Sequence, residues 1–421
     1  MRIAVIGTGY VGAVTGTCLA DLGHDVTFVD IDEKKLESIT KGIPPVYEPG
    51  LAGLLVKNQA RISATTDPGA AVRNAAVTFV TVGTPSREDG SIDLSYIEKA
   101  AHDIGRALAG TSGFPVVVMK STVLPGTTED IVGPILEQES GKTPGENFGL
   151  VSNPEFLREG SAVEDFYHPD RIVIGTRDER SKNIVASLYY PFNCPKMMTR
   201  IREAEMIKYA SNAFLATKIS FANEIGNLCK ELGIDTQEVF EGVGMDARIG
   251  PAFFRSGAGF GGSCFPKDVR ALISLARSKG IDPKILDSVM TVNEGQPERM
   301  VALLKRHISL PGKTIGVLGL AFKPDTDDIR ESRAITVIAA LLREKCRVIA
   351  FDPMAMGPFR ALFPGITYAG SPEEVLGADA VLIMTEWDVF DSLNYRGKIV
   401  IDGRRLETPR RDAGTYEGVC W

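Results

Sequence analysis

A cysteine that follows four closely spaced glycines is the strongest chemical signal in the sequence. Residues 257–268 read Gly-Ala-Gly-Phe-Gly-Gly-Ser-Cys-Phe-Pro-Lys-Asp. The loop before Cys264 predicts backbone N–H groups that can approach an oxyanion, and Pro266 predicts a helix that begins at or just after the cysteine. The helix N-terminus and Lys267 both favour the thiolate form of Cys264. Cys264 and Asp268 lie four residues apart, so we expect them to share a helix face.

This arrangement predicts a nucleophilic site. A reactive thiol, donors for an oxyanion and a carboxylate are the groups that covalent catalysis at a carbonyl carbon uses. The alternative is a tight glycine turn with a packed thiol. The other five cysteines, at positions 18, 194, 229, 346 and 420, form no C-x-x-C pair. We expect these five to be reduced thiols in the core. The spacing of the cysteines and of the four histidines does not predict a metal site.

Two further groups of polar residues could move protons. Lys208 and Asn212 are four residues apart in a stretch rich in Ala, Phe and Leu, which predicts one shared helix face. A partly buried Lys208 could hold or transfer a proton, but a solvated surface lysine also fits the pattern. Glu155 follows an apolar segment and is placed to act as a general base. A helix-capping or ion-paired role for Glu155 remains open.

The N-terminal segment predicts a dinucleotide-binding turn. A β-branched run over residues 3–6 precedes the motif G-x-G-x-x-G at 7–12, and a helix-like stretch at 13–22 and a second strand at 25–30 follow. The glycines of such a unit permit the tight turn, the approach of a pyrophosphate and close helix–strand packing. Asp30 would accept hydrogen bonds from ribose hydroxyls and repel a 2′-phosphate, which favours NAD over NADP.

Apolar runs at 77–82 and 115–119 predict two more buried parallel strands. Thr84 and Thr122 follow these runs, at the sheet edge where ligands bind in open α/β sheets, so both are candidate cofactor neighbours. Helix capping or turn formation is the alternative for these threonines. From about residue 200 the pattern predicts long helices, at 203–231, 268–279 and 283–307.

The C-terminal third repeats the N-terminal pattern in degenerate form. Segments 314–319, 347–352, 379–385 and 398–402 match the first four strands, but the glycine fingerprint is missing after Gly319. The sequence therefore predicts an α/β protein with two Rossmann-like parallel-sheet domains flanking a central helical domain. The expected boundaries are 1–197, 198–297 and 298–421. The second sheet would bind a different nucleotide or none.

Composition excludes several classes of protein. The chain has 421 residues, with 47 Lys and Arg against 54 Asp and Glu, so its net charge is −7. A mildly acidic chain argues against a general binder of nucleic acid or anionic membranes. No run of about 20 apolar residues predicts a membrane span, and the N-terminus reads as a strand rather than a leader. We expect a cytoplasmic protein.

Together the motifs resemble the UDP-glucose/GDP-mannose dehydrogenase family over essentially the whole chain. The resemblance rests on the N-terminal fingerprint and on six segments, at 120–123, 153–157, 208–212, 261–268, 322–332 and 402–404. It implies an NAD-dependent four-electron oxidation of the primary alcohol of a sugar nucleotide to a carboxylate. Residues 246–250 are similar to the branch that uses UDP-glucose. The alternative is the same chemistry on GDP-mannose or a UDP-N-acetylhexosamine.

The resemblance also implies catalytic roles. Cys264 would capture the aldehyde as a thiohemiacetal and carry it on to a thioester, and Lys208 and Asn212 would stabilise the oxyanion. The first proton would pass to Lys208, Asp268 or an ordered water. Glu155 would assist hydrolysis of the thioester. The water would be oriented by Thr122 and Asp268.

Binding residues follow from the same resemblance. Those on the NAD side are Gly7, Gly9, Tyr10, Val11, Gly12, Asp30, Lys35, Thr84, Thr122, Glu159, Lys267 and Arg330. Those on the side of the sugar nucleotide are Glu155, Phe156, Leu157, Lys208, Asn212, Arg248, Phe253, Phe254, Arg255, Ser256, Gly257, Gly261, Phe322, Lys323 and Arg404. The second sheet would hold the uridine diphosphate, and no metal is implied. The central helices would form a homodimer, in which Arg248 would reach across the interface.

Two other functions fit parts of the pattern. A two-electron β-hydroxy acid-type dehydrogenase would share the fingerprint and a helix-borne lysine and asparagine, but it has no use for Cys264 or a second nucleotide-type domain. A non-catalytic sensor of NAD and nucleotide sugars would keep both sheets yet tolerate loss of the thiol and the base. Every candidate catalytic position carries a competent side chain, which favours the enzyme.

Overall fold

The computed structural model describes all 421 residues, and its contacts divide the chain into two compact units, Met1–Ser211 and Asn212–Trp421. Each unit contains one β-sheet with helices. No helix in the chain combines the length and the apolar character that crossing a bilayer requires. The three-domain division with boundaries at 197 and 297 stays a prediction.

The first unit contains eight strands and eight complete helices. Strands β1–β8 are Arg2–Ile6, Asp25–Val29, Ile62–Thr65, Val77–Val80, Val116–Met119, Gly149–Ser152, Ile172–Thr176 and Lys196–Thr199. Helices α1–α8 are Tyr10–Asp21, Glu33–Thr40, Leu51–Lys57, Pro68–Asn74, Ser95–Ala109, Gly133–Ser140, Ala162–Tyr167 and Glu179–Leu188. A 3-10 turn, Gln59–Arg61, and a π-helical segment, Thr127–Val132, complete the unit. The long helix α9, Ile201–Leu232, contains the boundary between the units.

The sheet of the first unit has the order β3-β2-β1-β4-β5-β6-β7-β8. Its first six strands are parallel, β7 runs antiparallel to β6, and β8 is parallel to β7. Apolar clusters cover both faces, since Ile3 and Val5 pack on one side while Ala4 and Ile6 pack on the other. Burial on both faces explains why β4 and β5 read as continuous apolar runs.

Several boundaries differ from the sequence prediction by one to three residues, and two of them lie near the fingerprint turn. Helix α1 begins at Tyr10 rather than at residue 13, so Gly12 lies inside its first turn, where the close helix–strand contact has to be made. Strand β4 ends at Val80 rather than at residue 82. Just beyond this end, the Thr81 hydroxyl donates to the carbonyls of Ile6 and Gly7, at 2.9 and 2.8 Å, and so ties the chain to the fingerprint turn.

The second unit contains the rest of α9, three further helices and a second α/β sheet. Helices α10–α12 are Thr236–Gly244, Phe265–Ser278 and Lys284–Lys305. Strands β9–β14 are Thr314–Leu318, Arg347–Phe351, Thr367–Tyr368, Ala380–Ile383, Ile399–Asp402 and Thr415–Gly418. Helices α13–α17 are Arg333–Arg343, Met356–Leu362, Pro372–Val375, Asp388–Asp391 and Glu407–Asp412.

The second sheet repeats the strand order of the first. Its order is β11-β10-β9-β12-β13-β14, all parallel, which matches β3-β2-β1-β4-β5-β6 position by position. This is the doubly wound order of dinucleotide-binding folds. The predicted internal echo and the α/β fold class are confirmed.

Asp352 is the counterpart of Asp30 in the second sheet. This buried carboxylate, just after β10, accepts hydrogen bonds from the N–H groups of Leu320 and Ala321, at 2.7 and 3.0 Å, and from the indole of Trp387 at 3.1 Å. The equivalent acid of the first sheet, Asp30, is only partly buried. Full burial and the contact with Trp387 therefore distinguish Asp352 from the acid of the first sheet.

The cysteines are free thiols in several environments. Cys18, Cys229, Cys346 and Cys420 are buried, as expected for core thiols, whereas Cys264 is exposed. Cys194 is only half-buried and packs at the edge of an apolar cluster, so its assignment to the core was wrong. The loop around Cys194 lies near the end of the sheet, where few neighbours cover it.

Candidate functional site

The fingerprint turn of the first unit fits a dinucleotide pyrophosphate. Gly7 adopts a left-handed φ of +99°, and a Cβ on Gly12 would lie 1.9 Å from the carbonyl oxygen of Gly7. A Cβ on Gly9 would meet nothing within 4 Å, so the space in front of this residue is open. Gly9 is also the N-cap of α1, without a side-chain cap, which leaves N–H groups of the first turn available to an anion.

Asp30 lies beside this turn as a carboxylate. It accepts hydrogen bonds from the Thr8 N–H and hydroxyl, at 2.7 and 2.6 Å, and from the Asp32 N–H at 3.0 Å. Burial alone would raise the pKa of Asp30, but these hydrogen bonds and the charge of Lys35 outweigh it and lower the pKa. Asp30 therefore stays ionised at neutral pH, as required of a group that repels a 2′-phosphate.

Glu48 connects the fingerprint turn to the segment after β6. Its carboxylate accepts from the Tyr10 hydroxyl, from the Gly160 N–H at 2.8 Å and from the Ala162 N–H at 2.6 Å. Glu159, on the predicted NAD side, precedes Gly160 directly. Val11 lies next to Tyr10 in the first turn of α1.

Two predicted cofactor neighbours meet at the carboxyl edge of the first sheet. The Thr84 hydroxyl donates to the carbonyl oxygen of Thr122 at 3.1 Å, so the loops after β4 and β5 are joined. The β5 loop is also held from α9, because Glu205 accepts from the N–H groups of Gly126 and Thr128, at 2.7 and 2.9 Å. Burial raises the pKa of Glu205 to about 7, although both hydrogen bonds oppose the rise.

Lys208 and Glu155 form a buried ion pair. Lys208 Nζ lies 2.8 Å from Glu155 Oε1, and the two side chains are 5% and 6% exposed. Burial would raise the pKa of Glu155, but Lys208, the Leu157 N–H and Lys120 together outweigh burial and the pKa is lowered. The Phe156 ring packs beneath the guanidinium of Arg171 at 3.9 Å and near Lys208 at 5.5 Å. The burial of Lys208 excludes the alternative of a solvated surface lysine. Glu155 has the ion-paired role that the sequence left open. The second carboxylate oxygen of Glu155 accepts from the Leu157 N–H.

The second unit brings the Asn212 and Lys267 side chains and the Cys264 backbone to Asp268. Cys264 is the N-cap of α11, and its carbonyl accepts from the Asp268 N–H at 2.8 Å, which confirms the predicted helix start. Asp268 is 1% exposed and accepts from Asn212 Nδ2 at 2.7 Å and Lys267 Nζ at 2.6 Å. Its charge is thus neutralised and its position held, while the thiol of Cys264 remains accessible.

The glycine loop before Cys264 is held by buried amides. Asn293, on α12, accepts from the Phe260 N–H at 2.7 Å and donates to the Phe260 carbonyl at 3.1 Å. Asn223 accepts from the Gly257 N–H at 2.7 Å, and Gln296 donates to the Gly257 carbonyl at 2.7 Å. The loop therefore has a defined backbone path.

Four N–H groups of this loop are engaged within the protein. Those of residues 257, 258, 260 and 262 donate to oxygen atoms of the protein, so these four do not serve an oxyanion, and the oxyanion role of the loop stays a prediction for its other N–H groups. The glycines also permit close packing, because a Cβ on Gly261 would lie 2.4 Å from the Glu331 carbonyl and one on Gly257 would lie 2.2 Å from the Gly403 carbonyl.

The predicted sugar-nucleotide residues of the second unit form two groups. Phe322 packs on Gly262, and Arg404 donates to the Met384 carbonyl at 2.6 Å and pairs with Glu386 at 3.4 Å. The ammonium group of Lys323 lies 5.8 Å from the Phe322 ring centroid. On the NAD side, Arg330 pairs with Asp328 at 2.7 Å, next to the glycine loop that its carbonyl contacts.

The second group lies between α10 and α11. Phe254 stacks on Phe240 with centroids 4.8 Å apart, and Phe253 has a left-handed φ of +68°. Arg255 and Ser256 continue this segment to Gly257. Arg248 pairs with Asp246 at 2.6 Å, and its side chain is 89% exposed.

Family models match three consecutive parts of the chain. The NAD-binding domain of the UDP-glucose/GDP-mannose dehydrogenase family matches residues 1–193, the central domain 202–295 and the UDP-binding domain 316–409. The chain belongs to this family.

Relatives in the UDP-glucose/GDP-mannose dehydrogenase family match over nearly the full length. A UDP-glucose 6-dehydrogenase of Haloferax volcanii is 48% identical over 431 aligned positions, covering 100% of both chains. One from Bacillus subtilis is 46% identical, covering 97% of this chain and 94% of the relative. The structure of a UDP-glucose dehydrogenase from Pyrobaculum islandicum, 47% identical, superposes with a TM-score of 0.96 and covers 100% of this chain and 97% of that one. NAD is the cofactor of the family.

Sequence reasoning missed several residues that hold the site of this family member together. They are Glu48, Lys120, Asn153, Glu205 and Asn293. Lys120 and Asn153 belong to motifs that carried the family resemblance, but the sequence analysis assigned neither of them a role. The position of Lys120 directly after an apolar strand could have singled it out as a buried charge. Glu48, Glu205 and Asn293 act through contacts across 33 to 114 residues, for which local spacing carries no signal.

Proposed function

We propose that the chain oxidises UDP-glucose to UDP-glucuronate in two NAD-dependent steps, consuming two NAD⁺ and one water. The observation that carries this proposal is the exposed Cys264 at the N-cap of α11, beside the buried Asp268 with its Asn212 and Lys267 partners. A two-electron dehydrogenase has no use for such a thiol. The names and identities of the relatives support UDP-glucose as the substrate.

The residues of the fingerprint turn would hold NAD. Gly7, Gly9 and Gly12 leave room for the pyrophosphate, and Asp30 would take the ribose hydroxyls. Tyr10, Val11, Lys35, Thr84, Thr122, Glu159, Lys267 and Arg330 are the further proposed NAD-side residues. When bound, NAD supplies the acceptor for a hydride from the sugar carbon in each oxidation.

In the first oxidation the alcohol loses a proton and a hydride to become an aldehyde. The proton would pass to Lys208, Asp268 or a water molecule. Lys208 would enter this step as the neutral amine, and its burial against Glu155 holds Nζ in one position. The Cys264 thiolate then adds to the aldehyde carbon, which forms a C–S bond and an oxyanion. Lys208 and Asn212 would stabilise that oxyanion.

In the second oxidation the thiohemiacetal oxyanion loses a hydride from the sugar carbon to become a thioester. Water then adds to the thioester carbonyl, the C–S bond breaks, and the carboxylate and the free thiol are released. Glu155 would accept a proton from this water, with Thr122 and Asp268 orienting it. The lowered pKa of Glu155 keeps it a carboxylate at neutral pH, the form a proton acceptor needs.

The second sheet would hold the uridine diphosphate. Lys323 and Arg404 would meet the nucleotide and the loop 253–257 would run along the diphosphate, with Phe322, Gly261, Phe156 and Leu157 completing the contacts. The UDP-binding family model over residues 316–409 supports this assignment. The full burial of Asp352, which accepts from the indole of Trp387, also supports a ligand other than a dinucleotide, because this carboxylate is closed to a ribose.

We also propose a homodimer in the cytoplasm, built from a central helical domain at 198–297 between domains at 1–197 and 298–421. Support comes from α9, where Phe214, Phe221 and Leu228 recur every seven residues and are 65%, 52% and 57% exposed. An apolar stripe of this kind is typical of a helix that packs on a second copy. Arg248 would reach across that interface, and its exposed side chain is compatible with this role.

A substrate panel tests the assignment. NADH formation and thermal stability would be measured in parallel with UDP-glucose, GDP-mannose and UDP-N-acetylglucosamine. A ligand that binds the native state raises its stability, so UDP-glucose should give the largest shift and the highest kcat/KM. Faster turnover of GDP-mannose or UDP-N-acetylglucosamine would instead favour the alternative branch.

A further inference from the structure

A buried lysine without a role in the scheme above lies directly after β5. Lys120 is 5% exposed, and its ammonium contacts oxygen atoms of uncharged groups. The distances are 3.1 Å to Asn153 Oδ1, 3.3 Å to the Asn153 carbonyl and 3.5 Å to the Tyr189 hydroxyl. Burying an ammonium among neutral groups costs free energy, so a charge in this place indicates a function that outweighs the cost.

Lys120 joins two strand ends that carry proposed catalytic residues. It stands two residues before Thr122 on the β5 side, and it holds Asn153, two residues before Glu155 on the β6 side. Asn153 in turn donates to the Val173 carbonyl of β7 at 2.8 Å. The turn that leads to Glu155 is therefore oriented from two neighbouring strands.

The charges at this edge of the sheet act on one another. Glu155, Lys208 and Tyr189 are the titratable groups that face Lys120, and Phe79 of β4 contributes only a ring at 6.0 Å. Burial lowers the pKa of Lys120 to about 8; Glu155 opposes this shift and Lys208 adds to it. In return, Lys120 is one of the groups that lower the pKa of Glu155, after Lys208 and the Leu157 N–H.

We propose that Lys120 is a positioning residue for thioester hydrolysis, which holds the turn that carries Glu155 and keeps that carboxylate ionised. The inference rests on the proposed function, in which Glu155 accepts a proton from the attacking water. Lys120 touches neither of the reacting groups in this scheme. It acts through Asn153 by hydrogen bonds and on Glu155 by charge.

The test compares full-length wild type with Lys120→Met, Lys120→Arg and Tyr189→Phe in the presence of NAD⁺ and UDP-glucose. Intact-protein mass spectrometry after rapid quenching reports the fraction of chains with an acyl group on Cys264, and kcat is measured from pH 5 to 9. In Lys120→Met we expect kcat to fall about 10- to 100-fold, the acyl adduct to accumulate and the acidic limb of kcat to move to higher pH.

The two other variants separate charge from packing. Lys120→Arg retains the positive charge, so its acidic limb should stay at the wild-type pH even if kcat is lower. Tyr189→Phe removes one neutral contact of Asn153 and leaves every charge in place, so its pH profile should match wild type. Neither variant should show the shift of Lys120→Met.

Three outcomes decide the proposal. A folded Lys120→Met with wild-type acidic limb and no adduct overturns it. If Lys120→Met does not fold, Lys120→Gln takes its place, because it removes the charge while keeping an amide donor near Asn153; a folded Lys120→Gln with a wild-type acidic limb and no adduct then overturns the proposal. One NADH per sugar in wild type would refute the proposed function itself, and the role of Lys120 with it.

Discussion

Lys208 Nζ and Glu155 Oε1 form a 2.8 Å ion pair in which both side chains are almost completely buried. The pair joins helix α9 to the turn after β6, so a proposed proton-transfer lysine and a proposed hydrolytic carboxylate hold each other in place. Removing one partner would leave the other charge buried without its counter-ion, which is strongly unfavourable. Lys208 thus helps to keep the pKa of Glu155 low.

Cys264 is the residue that separates the four-electron reaction from a simple alcohol oxidation. We expect Cys264→Ser to lower formation of the acid at least about a thousandfold, since a serine hydroxyl is a far weaker nucleophile toward the aldehyde. Product analysis by mass spectrometry should detect at most the aldehyde or an adduct at that oxidation level. Cys194→Ser, at a half-buried thiol outside the site, is the matched control and should retain activity. Unchanged acid production by Cys264→Ser would refute the assignment of Cys264 as the nucleophile.

The fingerprint glycines should respond differently to alanine. Gly12→Ala places a Cβ 1.9 Å from the Gly7 carbonyl, so we expect a loss of about 3 kcal/mol in unfolding free energy. Gly9→Ala meets nothing within 4 Å, so the ligand-free protein should keep its melting temperature. A methyl group there would occupy the approach to the pyrophosphate, and the Kd for NAD⁺ should rise at least about tenfold. Unchanged NAD⁺ affinity in Gly9→Ala would contradict the assigned site.

Glu205 should make stability depend on pH near neutrality. Its pKa is raised to about 7 in the folded protein, against an ordinary value of 4.5, so between these values the folded chain binds a proton that the unfolded chain does not. This contribution to stability is present at low pH and is lost as pH rises through about 7. Denaturant titrations at pH 5, 6, 7 and 8 should show that the free energy of unfolding declines less with rising pH in Glu205→Gln than in wild type. Parallel pH curves for the two proteins would contradict the shifted pKa.

The apolar stripe of α9 should control assembly. Replacing Phe221, which is 52% exposed, by glutamate places a charge in the proposed dimer interface and should convert the protein to a monomer. Light scattering after size exclusion measures the mass directly. Tyr190→Glu, at a residue that is 86% exposed outside the stripe, is the control and should leave the mass unchanged. A Phe221→Glu variant that remains dimeric would contradict the proposal that the apolar stripe of α9 forms the dimer interface.

The sequence predicted what depends on local spacing. Apolar patterning predicted four strands of each sheet, β1, β2, β4 and β5 in the first and β9, β10, β12 and β13 in the second, and the G-x-G-x-x-G turn with Asp30 required only neighbouring residues. The helix start at Cys264 followed from Pro266 and the glycines, and helical spacing placed Lys208 and Asn212 together.

Contacts between distant segments could not be read in this way. Asn293 holds Phe260 across 33 residues, and Glu205 holds Thr128 across 77. The partners of four loop N–H groups, among them the carbonyls of Gly403 and Arg330, could not be predicted for the same reason, because they come from a remote part of the sequence.

The number of NADH molecules formed per sugar tests the central claim most directly. A limiting, weighed amount of UDP-glucose would be converted to completion with excess NAD⁺, and NADH would be read from its absorbance while the product is identified by mass. Two oxidations through a thioester on Cys264 predict two NADH and one UDP-glucuronate per UDP-glucose. One NADH with a free aldehyde would contradict the four-electron reaction.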